Sequence, residues 1–231
     1  MGAVLEMNSH VRLKVLCVIV AIGVSACGNQ PDQGGVSKAI QQVVLKQKSP
    51  APEMPTPDGL QKTIKEALSN TDRRLAIAVV ESRNSFTFLT EIATNGSFST
   101  WGSPDRRTIT ERQGLITASR GLGADLMSAD VSDSLRLVRT RKAGQASRKH
   151  IYLDGQNKEV ETRFTCTIAT TGQQRIAIGE ISTTVTTVAE RCKGGSASFE
   201  NTYQVAPSGQ VVQSRQWLGP VNGFLTVQKL R

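Results

Sequence analysis

Two periods of apolar residues divide the chain. Between residues 36 and 68 the apolar positions recur every three or four residues, and from residue 74 onward they alternate with polar or small residues. A period near 3.6 is typical of a helix, and a period of two is typical of a strand with one buried face. The pattern therefore predicts short helical segments followed by a long β-rich region.

Two short helices are predicted ahead of the strands, over residues 36–46 and 59–68. Each has one apolar face, and Asp58 is placed to cap the second helix. We expect both faces to pack on the folded domain rather than on a membrane. The apolar positions are Ile40, Val43 and Val44 in the first helix and Leu60, Ile64 and Leu68 in the second.

The alternating region predicts many short strands joined by tight turns. This pattern is typical of an antiparallel meander, open or closed, with one dry and one solvated face. Residues 121–126 are the least strand-like and are predicted to form a loop or a short helix. The alternating positions are Leu75, Ile77 and Val79, Phe86 and Phe88, Leu135 and Leu137, Ile176 and Ile178, and the threonine-rich run 183–188. The turn signals are Asn95-Gly96, Asp154-Gly155, Thr171-Gly172, Gly194-Gly195 and Pro207-Ser208-Gly209.

The N-terminus has the features of a lipoprotein export signal. Arg12 and Lys14 precede an apolar run over residues 15–24, which is too short to span the about 30 Å core of a bilayer. The run ends at Val24-Ser25-Ala26-Cys27, a lipobox, whose small residues admit the signal peptidase and whose cysteine carries diacylglycerol and further acyl chains such as palmitate. We predict cleavage between Ala26 and Cys27 and lipidation of Cys27. An ordinary signal peptide and a short membrane anchor are the alternatives.

The chain is predicted to have three regions. Residues 1–26 form the signal peptide, residues 27–58 form a largely flexible tether that is rich in Gly at its start and in Pro at its end, and residues 59–231 form the β-rich domain. Gly28 follows the lipidated cysteine at the position where Asp usually signals inner-membrane retention. We therefore predict a lipid anchor on the periplasmic face of the outer membrane.

The chain carries a positive net charge. It is +9, and removal of residues 1–26, which contain Arg12, Lys14 and Glu6, leaves +8. Such a charge favours anionic partners, namely lipid headgroups, acidic polysaccharide or nucleic acid, and export argues against nucleic acid. The basic residues are scattered, so a solvated basic surface is the default interpretation. Contact with an acidic glycan or a lipid is the alternative.

Two cysteines remain in the mature domain once Cys27 is lipidated. Cys166 and Cys192 would lie in an oxidising compartment, and an even number favours a disulfide between them. In the chain-entropy model, closing a loop of this size contributes roughly 3 to 4 kcal/mol. Two buried free thiols or one reactive thiol remain as alternatives.

The sequence carries no recognisable catalytic motif. It has no GxSxG, HExxH or Walker pattern, and His150, expected at a strand edge, has no nucleophile or acid at a recognisable spacing. Glu111, Asp125 and Asp130 are interpreted as surface acids, because nothing in their spacing brings two together for glycan cleavage. We therefore predict a non-enzymatic protein with no metal site and no cofactor.

The two tryptophans, Trp101 and Trp217, are candidate contacts for a glycan or a protein partner. Each is interpreted first as a half-buried plug of the sheet, and the alternative is a sugar-stacking platform that would suit a polysaccharide. Alternation places Gln213 and Arg215 on one face with Trp217. Arg215 is therefore a third candidate contact.

Several segments resemble the YjbF/GfcB lipoproteins, which are encoded with group 4 capsule and related exopolysaccharide export genes. The resemblance covers most of the chain from Leu75 to the end, and the pair Cys166 and Cys192 also fits the family. The segments are 202–205 (TYQV) and 207–220 (PSGQVVQSRQWLGP), similar to the closing strands of the family, and 101–105 (WGSPD) and 113–122 (QGLITASRGL), similar to its central part.

The resemblance implies both a fold and a role. It implies an all-β protein whose antiparallel meander is curved into a half-barrel, wrapped around a helix, with one or two short helices N-terminal to the sheet. It implies an outer-membrane lipoprotein with an accessory part in secreting or assembling capsule or exopolysaccharide, partnered by polysaccharide-export proteins or an anionic glycan. A lipid-binding or lipoprotein-sorting carrier that holds acyl chains in the curved sheet is the main alternative, and a glycan-modifying enzyme is a further one.

Overall fold

A computed structural model describes residues 57–231, and twelve antiparallel strands dominate it. Within these residues, no helix has the length and apolar character needed to cross a membrane. Two helices accompany the strands: α1 (Pro57–Ser69) and α2 (Ser132–Thr140). The strands are β1 (Leu75–Val80), β2 (Ser85–Asn95), β3 (Phe98–Gly102), β4 (Thr108–Arg112), β5 (Leu115–Arg120), β6 (Ser128–Asp130), β7 (Gly144–Leu153), β8 (Glu159–Ile178), β9 (Ile181–Gly194), β10 (Ala197–Val205), β11 (Val211–Gly219) and β12 (Gly223–Lys229).

The strands form one sheet that is nearly closed into a barrel. Its order is β5-β4-β3-β2-β1-β12-β11-β10-β9-β8-β7-β6, so the first and last strands pair at its centre and the remaining neighbours follow chain order. The edge strands β5 and β6 approach each other. The Ser119 amide of β5 donates to the Leu126 carbonyl, just ahead of β6, at 2.9 Å. The predicted all-β antiparallel meander is confirmed, and its curvature exceeds that of a half-barrel.

Helix α1 covers the outer face of β1. Its apolar face, with Ile64 buried at the centre, packs on Leu75, Ile77 and the C-terminal Leu230. The second predicted helix is therefore confirmed, and its face packs on the domain as expected. It begins at Pro57, so Asp58 lies in its first turn.

Helix α2 occupies a position for which a strand was predicted. Leu135 and Leu137 flank a polar residue, but Val131, Leu135 and Val138 also recur at intervals of four and three, and Asp133 in the first turn complements the helix dipole. The helix buries these apolar side chains in the core cluster of the inner sheet face. The strand prediction was wrong because three residues of alternation do not distinguish the two periods.

One predicted turn is also wrong. Thr171-Gly172 lies within the long strand β8, where the register with β9 shifts between Thr170 and Gly172. A glycine inside a strand often marks such a bulge, so Gly172 marks an irregularity within the strand and not a turn. The hairpin instead turns at Gly179, whose φ is 58°.

The disulfide between Cys166 and Cys192 is present. The two residues face each other across β8 and β9, and both are fully buried in the inner core. Other predictions fall outside the described residues: the signal peptide, the cleavage site at Ala26 and Cys27, the helix over residues 36–46, and the tether up to residue 56.

Candidate functional site

A cleft of about 310 Å³ opens at the end of the barrel where β1 begins and β12 ends. Three cationic side chains, Arg74, Arg139 and Lys229, line it together with the carboxylate of Glu111. Hydroxyl and amide side chains from the β2–β3, β4–β5 and β10–β11 turns complete its wall. We call this feature the basic cleft.

Lys229 and Glu111 form a buried ion pair at the floor of the basic cleft. Lys229 continues the inward face of β12 after Leu225 and Val227, and its Nζ donates to Glu111 Oε1 of β4 at 2.6 Å. The ammonium also lies 3.6 Å from the ring centroid of Trp101. Burial lowers the pKa of Lys229, and the Glu111 carboxylate opposes this shift only in part.

The second oxygen of Glu111 has no hydrogen-bond partner among the described residues. Buried polar atoms in native proteins are almost always hydrogen-bonded. Glu111 lines the basic cleft, so this Oε2 is a buried acceptor at the floor of the cleft, left without a partner among these residues.

Arg139 supplies a cation that no acid neutralises within the part of the chain that the structure describes. It lies in the last turn of α2, where its Nη1 donates to Gln113 Oε1 at 2.7 Å and its Nε to the Gly209 carbonyl at 3.1 Å. Arg74, by contrast, donates to Glu91 Oε1 at 3.0 Å. Guanidinium groups bind carboxylates and phosphates in bidentate geometry, so the basic cleft suits an anionic ligand.

Gly114 shapes the wall of the basic cleft. It lies in the β4–β5 turn with a φ of 99°, and a Cβ there would lie 2.5 Å from the Cβ of Val211. Only glycine permits both this conformation and this close approach of the turn to β11.

A second buried charge pair lies deeper, inside the barrel. Arg148 Nη1 donates to Glu190 Oε2 at 2.6 Å, and Asn201 and Tyr203 donate to the same oxygen at 2.8 and 2.7 Å. Ser134 of α2 donates to the other oxygen. Burial raises the pKa of Glu190, but the charge of Arg148 and these hydrogen bonds outweigh it, so the pKa lies below its usual value. The pair is fully enclosed and holds α2 to the sheet.

The three candidate contact residues have different surroundings in the structure. Trp101 is fully buried beneath Lys229 at the base of the basic cleft, so its ring presents no surface to a sugar. Trp217 is half-buried and stacks on Phe199 with centroids 4.6 Å apart. Arg215 makes two hydrogen bonds of 2.7 Å with Glu81. Trp101 is therefore buried more deeply than the predicted half-buried plug, whereas Trp217 has the partial exposure that was predicted.

His150 is not at a strand edge, contrary to the prediction. It lies on the inner face of β7 with no exposed surface, and its Nδ1 is 3.0 Å from the Tyr152 hydroxyl. Burial, helped by the charge of Arg148, lowers the pKa of His150 from 6.5 to about 3. The imidazole is therefore neutral in a hydrophobic setting.

The three acids considered for glycan cleavage have separate roles. Glu111 is buried and paired with Lys229, so its assignment as a surface acid was wrong. Asp125 accepts hydrogen bonds from the amides of Gly121 and Leu122 and holds the 121–125 loop. Asp130 accepts from the Ser132 amide at 3.0 Å.

Potential metal ligands also come together inside the barrel. One oxygen of Glu190 and the sulfurs of Cys166 and Cys192 lie within 4.8 Å of one another. The disulfide and the Arg148 ion pair occupy all three groups.

Sequence reasoning missed the charged residues inside the barrel, although the pattern contains a signal for them. Lys229 follows Leu225 and Val227 at a spacing of two, and Glu190 lies between Val188 and Cys192 in the same way. A charge in the apolar phase of a strand points into the core and requires a partner there.

The sequence and the fold of this chain are both similar to those of known proteins. A profile of the family described as group 4 capsule polysaccharide lipoprotein GfcB, YjbF matches residues 56–230. The crystal structure of the hypothetical lipoprotein YmcC from Escherichia coli (K12) superposes with a TM-score of 0.64 at 18% identity, over 87% of this chain and 98% of that one. No curated protein sequence matches the chain. The match over most of the length shows that this chain belongs to the YjbF family of group 4 capsule polysaccharide lipoproteins.

Proposed function

We propose that this chain is an outer-membrane lipoprotein, anchored on the periplasmic face through Cys27, with a non-enzymatic accessory role in secreting or assembling capsule or exopolysaccharide. The family's association with capsule polysaccharide supports this role, and the lipobox supports the anchor. Its partners would be polysaccharide-export proteins and the glycan itself.

We further propose that the glycan contact is the basic cleft and that the ligand is an acidic sugar unit. The observation that carries this proposal is that one cleft is lined by an unneutralised guanidinium, Arg139, and by a carboxylate whose buried oxygen, Glu111 Oε2, has no partner among the described residues. A uronic acid offers a carboxylate for the first and hydroxyls for the second. A neutral sugar lacks the anionic group.

Binding to defined oligosaccharides tests the cleft. The mature lipoprotein in phosphatidylcholine nanodiscs is titrated calorimetrically with tetragalacturonate and with maltotetraose. We expect the acidic tetramer to bind at least tenfold more tightly, and Arg139→Gln to weaken its binding at least tenfold, because a charge-assisted hydrogen bond contributes about 1.5–3 kcal/mol.

Arg136→Gln is the matched control, because Arg136 lies on the exposed face of the same helix. Equal binding by the two variants, or equal binding of the acidic and neutral tetramers, would contradict the glycan assignment. Mass spectrometry of the tetragalacturonate after incubation should show its length unchanged, and shortened products would contradict the non-enzymatic role.

Mass spectrometry of the mature N-terminus tests the anchor. We expect the first residue to be Cys27 carrying diacylglycerol, and fractionation should place the protein with the outer membrane. An unmodified Cys27, or cleavage elsewhere, would overturn the anchor without affecting the cleft.

A further inference from the structure

A larger cavity opens at the opposite end of the barrel from the basic cleft. Its volume is about 480 Å³, and it lies where β1 ends and β12 begins, beside the β3–β4 loop. Its inner walls are formed by Leu89, Ile109 and Leu225, all almost completely buried. We call it the apolar cavity.

The sequences of β1 and β2 explain why the side chains of the barrel leave this space unfilled. The large residues Leu75, Ile77 and Val79 of β1 face outward under α1, and two of its three inward positions carry alanine, the third being Val80. Ala78 lies directly opposite Thr87 of β2, and Ser85 is the next inward residue of that strand. Three small side chains therefore occupy positions at which large apolar residues would have filled the barrel.

Size and lining indicate the class of ligand. Ligand sites commonly enclose about 300–1,000 Å³ and are mostly apolar, and an apolar cavity of about 150 Å³ already binds benzene. The apolar cavity is about three times that size and open at its mouth. A hydrocarbon chain fits the apolar inner walls, whereas a sugar placed against Leu89, Ile109 and Leu225 would leave the hydroxyls on that side without partners.

The mouth of the cavity carries two arginines. Arg107 pairs with Asp105 at 3.1 Å, and both side chains are about half exposed. Arg83 donates to the Leu122 carbonyl at 2.5 Å and to Asn222 Oδ1 at 2.9 Å, and it has no carboxylate partner in the described part of the chain. The rim therefore has one positive charge more than its acids neutralise, which complements an anionic headgroup.

We propose that the apolar cavity binds the acyl chain of a fatty acid, with the carboxylate at Arg83 and Arg107. This site is separate from the basic cleft and does not depend on the proposed glycan contact. The proposal limits lipid binding to one acyl chain in one cavity at one end of the barrel. Elsewhere, α2 and the side chains of the sheet pack together on the inner face.

Photoaffinity labelling of the mature lipoprotein tests the site. The protein is held in neutral phosphatidylcholine nanodiscs and exposed to dodecanoic acid bearing a diazirine near its methyl end, and labelled peptides are identified by mass spectrometry. We expect the label on residues 78–89 and 104–109. Unlabelled fatty acids should compete about fourfold more strongly for each added methylene until the cavity is full.

Cavity-filling variants provide the decisive comparison. Ala78→Leu and, independently, Thr87→Leu should reduce labelling at these peptides at least tenfold, because each places a side chain in the hydrocarbon space. Ala118→Leu adds the same volume to β5 at a half-buried position that does not line the cavity, and it should label like the wild type.

The headgroup is tested separately. A probe with the same chain and a trimethylammonium head should label at least tenfold less, and Arg107→Gln should reduce labelling by the carboxylate probe several-fold while the neighbouring Arg106→Gln does not. Label spread evenly over the surface, or undiminished labelling in folded Ala78→Leu and Thr87→Leu, would overturn the proposal. If neither cavity variant folds, equal labelling of the Arg107 and Arg106 variants would overturn it.

Discussion

His150 shows how its surroundings set the properties of a single residue. Its ring lies 5.1 Å from that of Phe164 and stacks near those of Phe199 and Trp217. The nearby charge is that of Arg148, which also disfavours a second cation. The side chain is therefore an aromatic core residue at neutral pH. Its burial lowers the free energy of unfolding only when the solution becomes acidic.

The pH dependence of stability should reveal this cost. Because the folded pKa of about 3 lies below the unfolded value of 6.5, unfolding takes up a proton between these values, and the free energy of unfolding falls as the pH drops below 6.5. We expect His150→Phe to remove a slope of about 1.4 kcal/mol per pH unit between pH 6 and 4.5. Urea unfolding across this window measures it.

Tyr152→Phe is the control for the His150 prediction. It removes the hydroxyl that contacts Nδ1 but keeps the imidazole, so the slope should remain. The window ends at pH 4.5 because Glu190, whose pKa is lowered in the fold, loses its stabilising contribution only at lower pH. Parallel curves for wild type and His150→Phe would contradict the assignment of a neutral, buried histidine.

At the level of elements, the alternation of apolar residues predicted the antiparallel sheet, but it did not predict the helix and the cavity that lie inside it. The outward and inward phases of β1 follow from its sequence, but a strand buried on both faces gives no sign that its small residues face a cavity. Helix α2 is only nine residues long, and its apolar positions fit both periods. Its helical state depends on the concave sheet that it fills, which is a tertiary contact.

The candidate sites were predictable only in part for the same reason. The sequence indicated a positive charge and an anionic partner. Its pattern, however, led us to interpret Glu111 as a surface acid and the arginines as scattered. Lys229 and Glu111 lie 118 residues apart and meet because β12 and β4 curve around one interior. Closure of the sheet, rather than any local motif, creates both the basic cleft and the apolar cavity.

At the level of the whole molecule, the barrel closes without a ladder between its two edge strands. The β1–β5 half joins the rest through the β1–β12 ladder, and its free β5 end is also tied across the interior, where Gln216 of β11 reaches the β4–β5 turn and the start of β5. Its Nε2 donates to the Gly114 carbonyl at 2.9 Å, and its Oε1 accepts from the Ile116 amide at 2.9 Å. The carbonyl belongs to the β4–β5 turn and the amide to the edge strand β5, so this side chain replaces strand pairing at that point.

Gln216→Leu should therefore loosen the closed barrel. A leucine of similar size leaves the carbonyl of Gly114 and the amide of Ile116 buried and unpaired, and each such group costs about 1–3 kcal/mol. We expect a loss of about 2–5 kcal/mol in urea unfolding and faster amide hydrogen exchange across β4 and β5 than across β8 and β9. Gln213→Leu, on the outward phase of the same strand, should change both measurements little. If amide exchange across β4 and β5 were as slow in Gln216→Leu as in Gln213→Leu, the edge would be held by packing alone. Loss of these two hydrogen bonds would then have left β5 as protected as before.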